Sequence, residues 1–255
     1  MIMNKLVCIT FVLFFAISNI VCYSQTKTVM FDLSHGQCKD IHPNHEYYTD
    51  ITSDYANIVN NLGANIMLND SMEISHEILQ NVDVLIMLSP LSKNLQKDIT
   101  HSEKKVLIDF IEKGGSLILF VDDEHRVNLK KYGANIITKH FGIELGCDLN
   151  DIPKNCGAVS FENEIFSKRY EIPYSGARMM KGGIPAGVSL EGGYVHSAYI
   201  KTNNGGKLFV AADTMVGQLM GFPDGKRNVF NKMETRWWGK DSKEYIKDLI
   251  LWSLK

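Results

Sequence analysis

Apolar residues in the first half of the chain fall into short runs that alternate with helical patterns. Val29-Met30-Phe31 ends on Asp32, and Thr28 to Asp32 predicts a first strand. Asp50 to Leu62 predicts a helix, with Tyr55, Ile58, Val59 and Leu62 at helical spacing and Gly63 closing it. Ala64 to Leu68 predicts a second strand and Ile74 to Leu79 a short helical turn. Asp83 to Leu88 predicts a third strand, continuously apolar after Asp83 and so expected to be buried on both faces. His101 to Lys113 has the spacing of an amphipathic helix, with Val106, Leu107, Phe110 and Ile111 on one face. Gly114-Gly115 ends it, and Ser116 to Val121 predicts a fourth strand. A β-α-β-α-β-α-β run with short links predicts an α/β fold with a doubly wound, mostly parallel sheet and right-handed crossovers.

After Arg126 the pattern loosens. Lys130 to Gly142 predicts a helix and a short strand. Residues 142–193 are rich in glycine and proline with weak periodicity, and predict an inserted loop-rich region, a set of loops and short strands that decorate the sheet. Tyr194 to Lys201 and Lys207 to Ala212 predict strands joined by the turn Asn203-Asn204-Gly205-Gly206. Asp241 to Leu254 predicts a closing helix, with Asp241 or Ser242 as its cap.

The N-terminus has the pattern of a cleaved signal peptide. Lys5 supplies a positive region, Leu6 to Val21 is largely apolar, and Cys22-Tyr23-Ser24 offers small residues before a mature start near Gln25. The apolar run is short for a membrane span, so the expectation is a signal over 1–24, a domain over 25–255, and a periplasmic or secreted protein with no span after cleavage. Of the cysteines remaining, Cys147 and Cys156 are close enough in sequence to pair in an oxidising compartment, which leaves Cys38 over. A net charge of −2 with no basic stripe argues against nucleic acid. The 45% hydrophobic content is enough to bury a core of ordinary α/β size.

Chemistry concentrates where two strands end. The first carries Asp32-Leu33-Ser34-His35-Gly36-Gln37, the second Asp122-Asp123-Glu124-His125-Arg126. Parallel sheets bind ligands beyond their carboxyl ends. With the first and third strands neighbours and the fourth one further out, Asp32 and Asp122 would start roughly 10 Å apart, a spacing that suits an acid and a base acting across a water. Asp213 is a third acidic strand end, and Gly36 would let the backbone approach a ligand closely. For each aspartate the competing role is capping of the next helix. Arg178 has the fork to clamp a carboxylate, and Trp237-Trp238 offers either a stacking platform for sugar rings or packing under the last helix. The ligand-rich segment His42-Pro43-Asn44-His45-Glu46 lacks the helical histidine pair of a zinc protease, and no metal or other cofactor is expected. Nucleophile elbows and phosphate-binding glycine loops are absent.

Phe31-Asp32-x-Ser34-His35-Gly36-Gln37, the Gly114-Gly115-Ser116-Leu117 lead-in to a strand and Ala212-Asp213 at a late strand end together resemble the class I glutamine-amidotransferase-like superfamily. The likeness covers about half of the mature chain. It is strongest to an uncharacterised branch without the nucleophile, similar to domains of gliding-motility transporter auxiliary proteins and of an intraflagellar-transport subunit. The resemblance implies a flavodoxin-like, three-layer fold. The amidotransferase cysteine is missing after Met87-Leu88, so glutaminase activity does not carry over. The ending Tyr23-Ser24-Gln25 resembles the signal style of exported Bacteroidetes proteins, many of which handle glycans.

Two functions from different classes follow. In one, the chain binds or acts on glycan or uronate-type ligands, its enzymatic form being a hydrolase. Asp32 and one of Asp122, Asp123 or Glu124 then share acid and base work, and His35 and His125 orient the substrate. Gln37, Arg126, Arg178, Asp213 and Trp237 contact the small-molecule or oligosaccharide ligand. In the other, it is a non-catalytic binding or scaffold domain that keeps the pocket without activity, open to a protein partner, its carboxylates capping helices and bonding to backbone.

Overall fold

The computed structural model of the chain describes residues 26–37, 51–151, 157–174, 178–218 and 241–255. Its first half alternates as the apolar pattern predicts. The order is β1 (Thr28–Asp32), α1 (Ile51–Asn61), β2 (Asn65–Asn69), α2 (His76–Leu79), β3 (Val84–Met87), α3 (His101–Glu112) and β4 (Ser116–Phe120). There follow α4 (Leu129–Tyr132), α5 (Ala134–His140) and β5 (Glu144–Asp148). The remaining strands are β6 (Ala158–Ser160), β7 (Glu171–Ile172), β8 (Arg178–Lys181), β9 (Ile184–Ser189), β10 (Val195–Lys201) and β11 (Lys207–Ala211). The last helices are α6 (Met215–Gln218) and α7 (Ser242–Leu254).

Nine strands form one mixed sheet in the order β2-β1-β3-β4-β11-β10-β9-β6-β7. The five from β2 to β11 are parallel, and the other four join antiparallel. Strands β3, β4 and β11 are buried at every position, so both of their faces are covered. Phe31 stacks on Tyr55 of α1 at 4.6 Å, while Phe209 and Phe166 pack edge-on and Phe166 stacks on Tyr245 of α7 at 4.3 Å. Register puts Phe31, Ile86, Ile118 and Phe209 in one row, so α1 and α7 cover that side of the sheet. Each such ring contributes about 2–3 kcal/mol of burial. Lys207 lies beneath α7 and donates to the carbonyl of Trp252, placing a cation at the helix C-terminus.

The short strands expected within 142–193 are present, but they are built into sheets rather than hung on one as decoration. The region supplies five strands: β6, β7 and β9 extend the main sheet, and β5 pairs with β8 as a separate ribbon. Alternation is hard to read there because the strands are short and interrupted. Gly182 and Gly183, both at positive φ, turn β8 into β9 against Gly142, where a Cβ on Gly182 would lie 2.0 Å from the Gly142 carbonyl oxygen. Residues 130–142 hold two helical segments broken by left-handed Gly133, with no strand before Glu144. Asp241 sits at the N-terminus of α7 without a capping bond, because its carboxylate accepts from the Glu171 backbone N–H instead.

Candidate functional site

Asp32 closes β1 and is fully buried. Strand alternation turns it away from the Phe31 side and toward α3. Its Oδ1 accepts from the Ser34 hydroxyl at 2.7 Å, the Ser34 N–H at 3.3 Å and Asn69 Nδ2 at 2.9 Å. Its Oδ2 accepts from His35 Nδ1 at 2.8 Å and Gln37 Nε2 at 3.1 Å. The other nitrogen of His35 lies 3.2 Å from Glu103 Oε1. Burial alone would lower the pKa of His35, but hydrogen bonds to Asp32 and Glu103 outweigh it and raise it from 6.5 to about 9. The ring is therefore an imidazolium held between two carboxylates. Glu103 is buried too, yet its bonds from His35, Ile74 N–H and Thr100 N–H take it down to about 2.

Glu103 has two roles in one side chain. With Thr100 it makes a capping box that starts α3, and with His35 it ties α3 to the loop after β1. Neither it nor Asn69, the polar end of β2, stood out in the sequence. The Thr100-x-x-Glu103 spacing signals the cap, but nothing local signals the histidine across the fold. Gln37 turns inward as well, its carbonyl accepting from His35 N–H at 2.7 Å. Gly36, at φ +85°, does make a close backbone approach, though to its own chain: a Cβ there would lie 2.0 Å from the Leu95 carbonyl oxygen.

The second cluster lies on another row. Register aligns Asp32 with Met87 and Leu119, three residues short of Asp122. Two strand spacings across and three residues along place the two Cα atoms about 14 Å apart. The shorter separation expected from sequence counted only the lateral step. Asp122 instead shares a row with Asp213, since Phe120 pairs with Ala211 and Val121 N–H bonds the Ala211 carbonyl. Asp213 Oδ1 accepts from Met215 N–H at 2.7 Å, the capping role that competed with catalysis.

Asp122 is buried, and burial pushes its carboxyl up to about 6 against the pull of Arg126. Its Oδ2 accepts no hydrogen bond from the described residues and lies 3.6 Å from Arg126 Nε. Asp123 accepts from His125 N–H, and the His125 side chain is exposed. Glu124 is half exposed, and its bond from Arg178 outweighs burial to hold it below the usual carboxylate range.

Arg178 does not reach out to clamp a ligand. It is 1% exposed, the largest fully buried side chain among the described residues, and its fork is used on the chain itself. Nε donates to the Asp122 carbonyl, and Nη2 to the Val127 carbonyl at 2.6 Å and Glu124 at 3.0 Å. Nη1 lies 3.6 Å from Asp148, whose carboxylate accepts the Glu124 N–H. It brackets the loop 122–127. Trp237, Cys38, Cys156, the His42–Glu46 segment and the proposed signal lie outside the described residues. Cys147 is an exposed free thiol. Among the described residues no group of three or more His, Cys, Asp or Glu is placed to hold a metal, and no helix is long and apolar enough to cross a membrane.

No protein-family model and no curated protein sequence matches the chain. Solved structures do. The N-terminal domain of mmIFT52 superposes with a TM-score of 0.59 at 15% identity, over 89% of this chain and 97% of that one. A cytoplasmic protein from Salmonella typhimurium gives 0.49 at 12% identity, over 88% and 98% of the two chains. The exo-beta-1,4-mannosidase Op5Man5 from Opitutaceae bacterium strain TAV5 gives 0.46 at 15% identity, over 82% of this chain and 34% of the enzyme. A likeness of 15% identity speaks for the shared α/β fold alone.

Proposed function

We propose that this chain is an exported, non-catalytic binding or scaffold domain of the glutamine-amidotransferase-like superfamily, built on a flavodoxin-like, doubly wound core. The parallel order β2-β1-β3-β4-β11 and the coverage of both sheet faces support the core. One observation carries the non-catalytic reading: the carboxylate of Asp32 is sequestered by five donors, and His35 is locked between Asp32 and Glu103. A general base needs a free lone pair within reach of substrate, and a proton shuttle needs one face in the site. Here both groups are spent on joining β1, β2 and α3.

A second reading, a glycan-directed hydrolase, is favoured by Asp122 alone. A buried carboxyl raised to about 6, with one oxygen that accepts no hydrogen bond from the described residues and Arg126 beside it, has the perturbed character of a proton-transfer group. Incubation of the purified chain with neutral and uronate oligosaccharides, read by mass spectrometry, separates the two. The expected result is no new product, with Asp32→Asn melting well below the parent. Product lost in Asp122→Asn with the melting temperature unchanged would install the hydrolase. Product lost in a fully stable Asp32→Asn would overturn the structural role of the first cluster.

A further inference from the structure

Strand β2 is the edge of the nine-stranded sheet among the described residues, and its own sequence carries none of the usual protection. Among the described residues it pairs only with β1. Its residues Asn65-Ile66-Met67-Leu68-Asn69 contain no charge, no proline and no bulge, and Leu68 is 42% exposed. Natural edges are normally blunted by lysine, proline, bulges or brevity. The opposite edge, β7, is blunted by being two residues long.

The strand also reads nearly the same in both directions. Asn65 N–H bonds the Lys27 carbonyl, and the Asn69 carbonyl accepts from Leu33 N–H, so the odd-numbered residues turn their backbone groups toward β1. Ile66 and Leu68 therefore turn theirs outward. Antiparallel pairing with a second copy about a two-fold axis at Met67 sets Asn65 against Asn69, Ile66 against Leu68, and Met67 against itself. The two Ile66–Leu68 pairs then fall on the hydrogen-bonded positions, which is the parity the free backbone groups require. No like charges meet. Half-buried Ile58 and Leu62, from α1 and the residue after it, pack beside β2 and extend the apolar strip.

We propose that β2 joins two copies of this chain edge to edge, continuing the sheet across a two-fold axis. Two five-residue strands bury less than the roughly 1,000 Å² that a stable interface is expected to clear, so the dimer is weak and forms with rising concentration.

Sedimentation equilibrium of the purified chain across micromolar to submillimolar concentration tests this. The expected result is a monomer–dimer equilibrium that Leu68→Lys weakens roughly tenfold or more, by setting two lysines diagonally across the seam. In parallel, Met67→Cys should give a disulfide between the two copies under mild oxidation, identified by peptide mass spectrometry. Residues paired at a non-hydrogen-bonded position have Cα atoms about 4.5 Å apart, within the reach of such a bond. A monomer at every concentration, or a dimer that survives Leu68→Lys without the Met67→Cys crosslink, overturns the proposal.

Discussion

The carboxylate of Asp32 accepts from five donors, whereas that of Asp122 keeps one oxygen without a hydrogen bond from the described residues. Both end apolar runs, and from sequence they look alike. What separates them is what the fold brings from elsewhere: Asn69, 37 positions on, and Glu103 beyond it. Arg178 shows the same effect in reverse. Its planar fork was legible as a carboxylate clamp, and it does hold a carboxylate, but that of Glu124. Arg178→Ala would leave two buried carbonyls and the Glu124 carboxylate without this donor, and Asp148 without its neighbouring cation. Glu124 and Asp148 are partly solvated, so the cost lies in the two carbonyls, about 1–3 kcal/mol for each buried acceptor left unsatisfied. We expect that drop in urea-unfolding free energy, with Arg178→Lys recovering only part of it because a point charge cannot span the fork. A stable Arg178→Ala chain would return the residue to the role of ligand clamp.

At the scale of elements, the parallel half was legible because its strands are continuous apolar runs separated by helical periods, as Val84–Met87 and Ser116–Phe120 show. Of the antiparallel half, β10 is legible as the run Tyr194 to Lys201, but β6 and β7 are not, because they are three and two residues long and show no alternation to read. The turn between β10 and β11 is legible in Asn203-Asn204-Gly205-Gly206, whereas its docking is not. Asn204 Nδ2 donates to the Glu112 carbonyl at 3.0 Å, so the turn closes onto the end of α3. The two glycines there differ in kind. Gly205, at φ +84°, has open space around a would-be Cβ, while at Gly206 a Cβ would lie 1.7 Å from the Ile111 carbonyl oxygen. Gly205→Ala is expected to cost about 1 kcal/mol of left-handed strain. Gly206→Ala must push the turn off α3 and should cost at least twice as much. Equal losses in thermal melts of the two variants would mean that the turn does not dock.

Across the whole molecule, two buried histidines set opposite limbs of stability against pH. His35 is raised to about 9 by Asp32 and Glu103, so its contribution is full below its unfolded value of 6.5 and is lost as pH rises through 9. The shift corresponds to about 3 kcal/mol. The lowering of Glu103 is the same attraction seen from its partner, and that limb is lost only as pH falls from 4.5 toward 2. His196, fully buried beside Tyr174, is pushed down by burial to about 4. It is disfavoured as a cation in the fold, so stability falls as pH drops from 6.5 to 4. Asp122 opposes that acid limb: its folded value of about 6 lies above the unfolded 3.8, so protonation over that interval favours the fold. The sum places the maximum of thermal stability near pH 6.5, with a steep alkaline side and a shallower acid side. His35→Gln should lower the maximum and flatten the alkaline side, since the glutamine carries no charge to lose. Melting temperatures followed by circular dichroism from about pH 4 to 10 read both limbs at once. If the parent chain melts at the same temperature at about pH 6.5 and about pH 9.5, on either side of the folded value, His35 is not the imidazolium that holds β1 to α3.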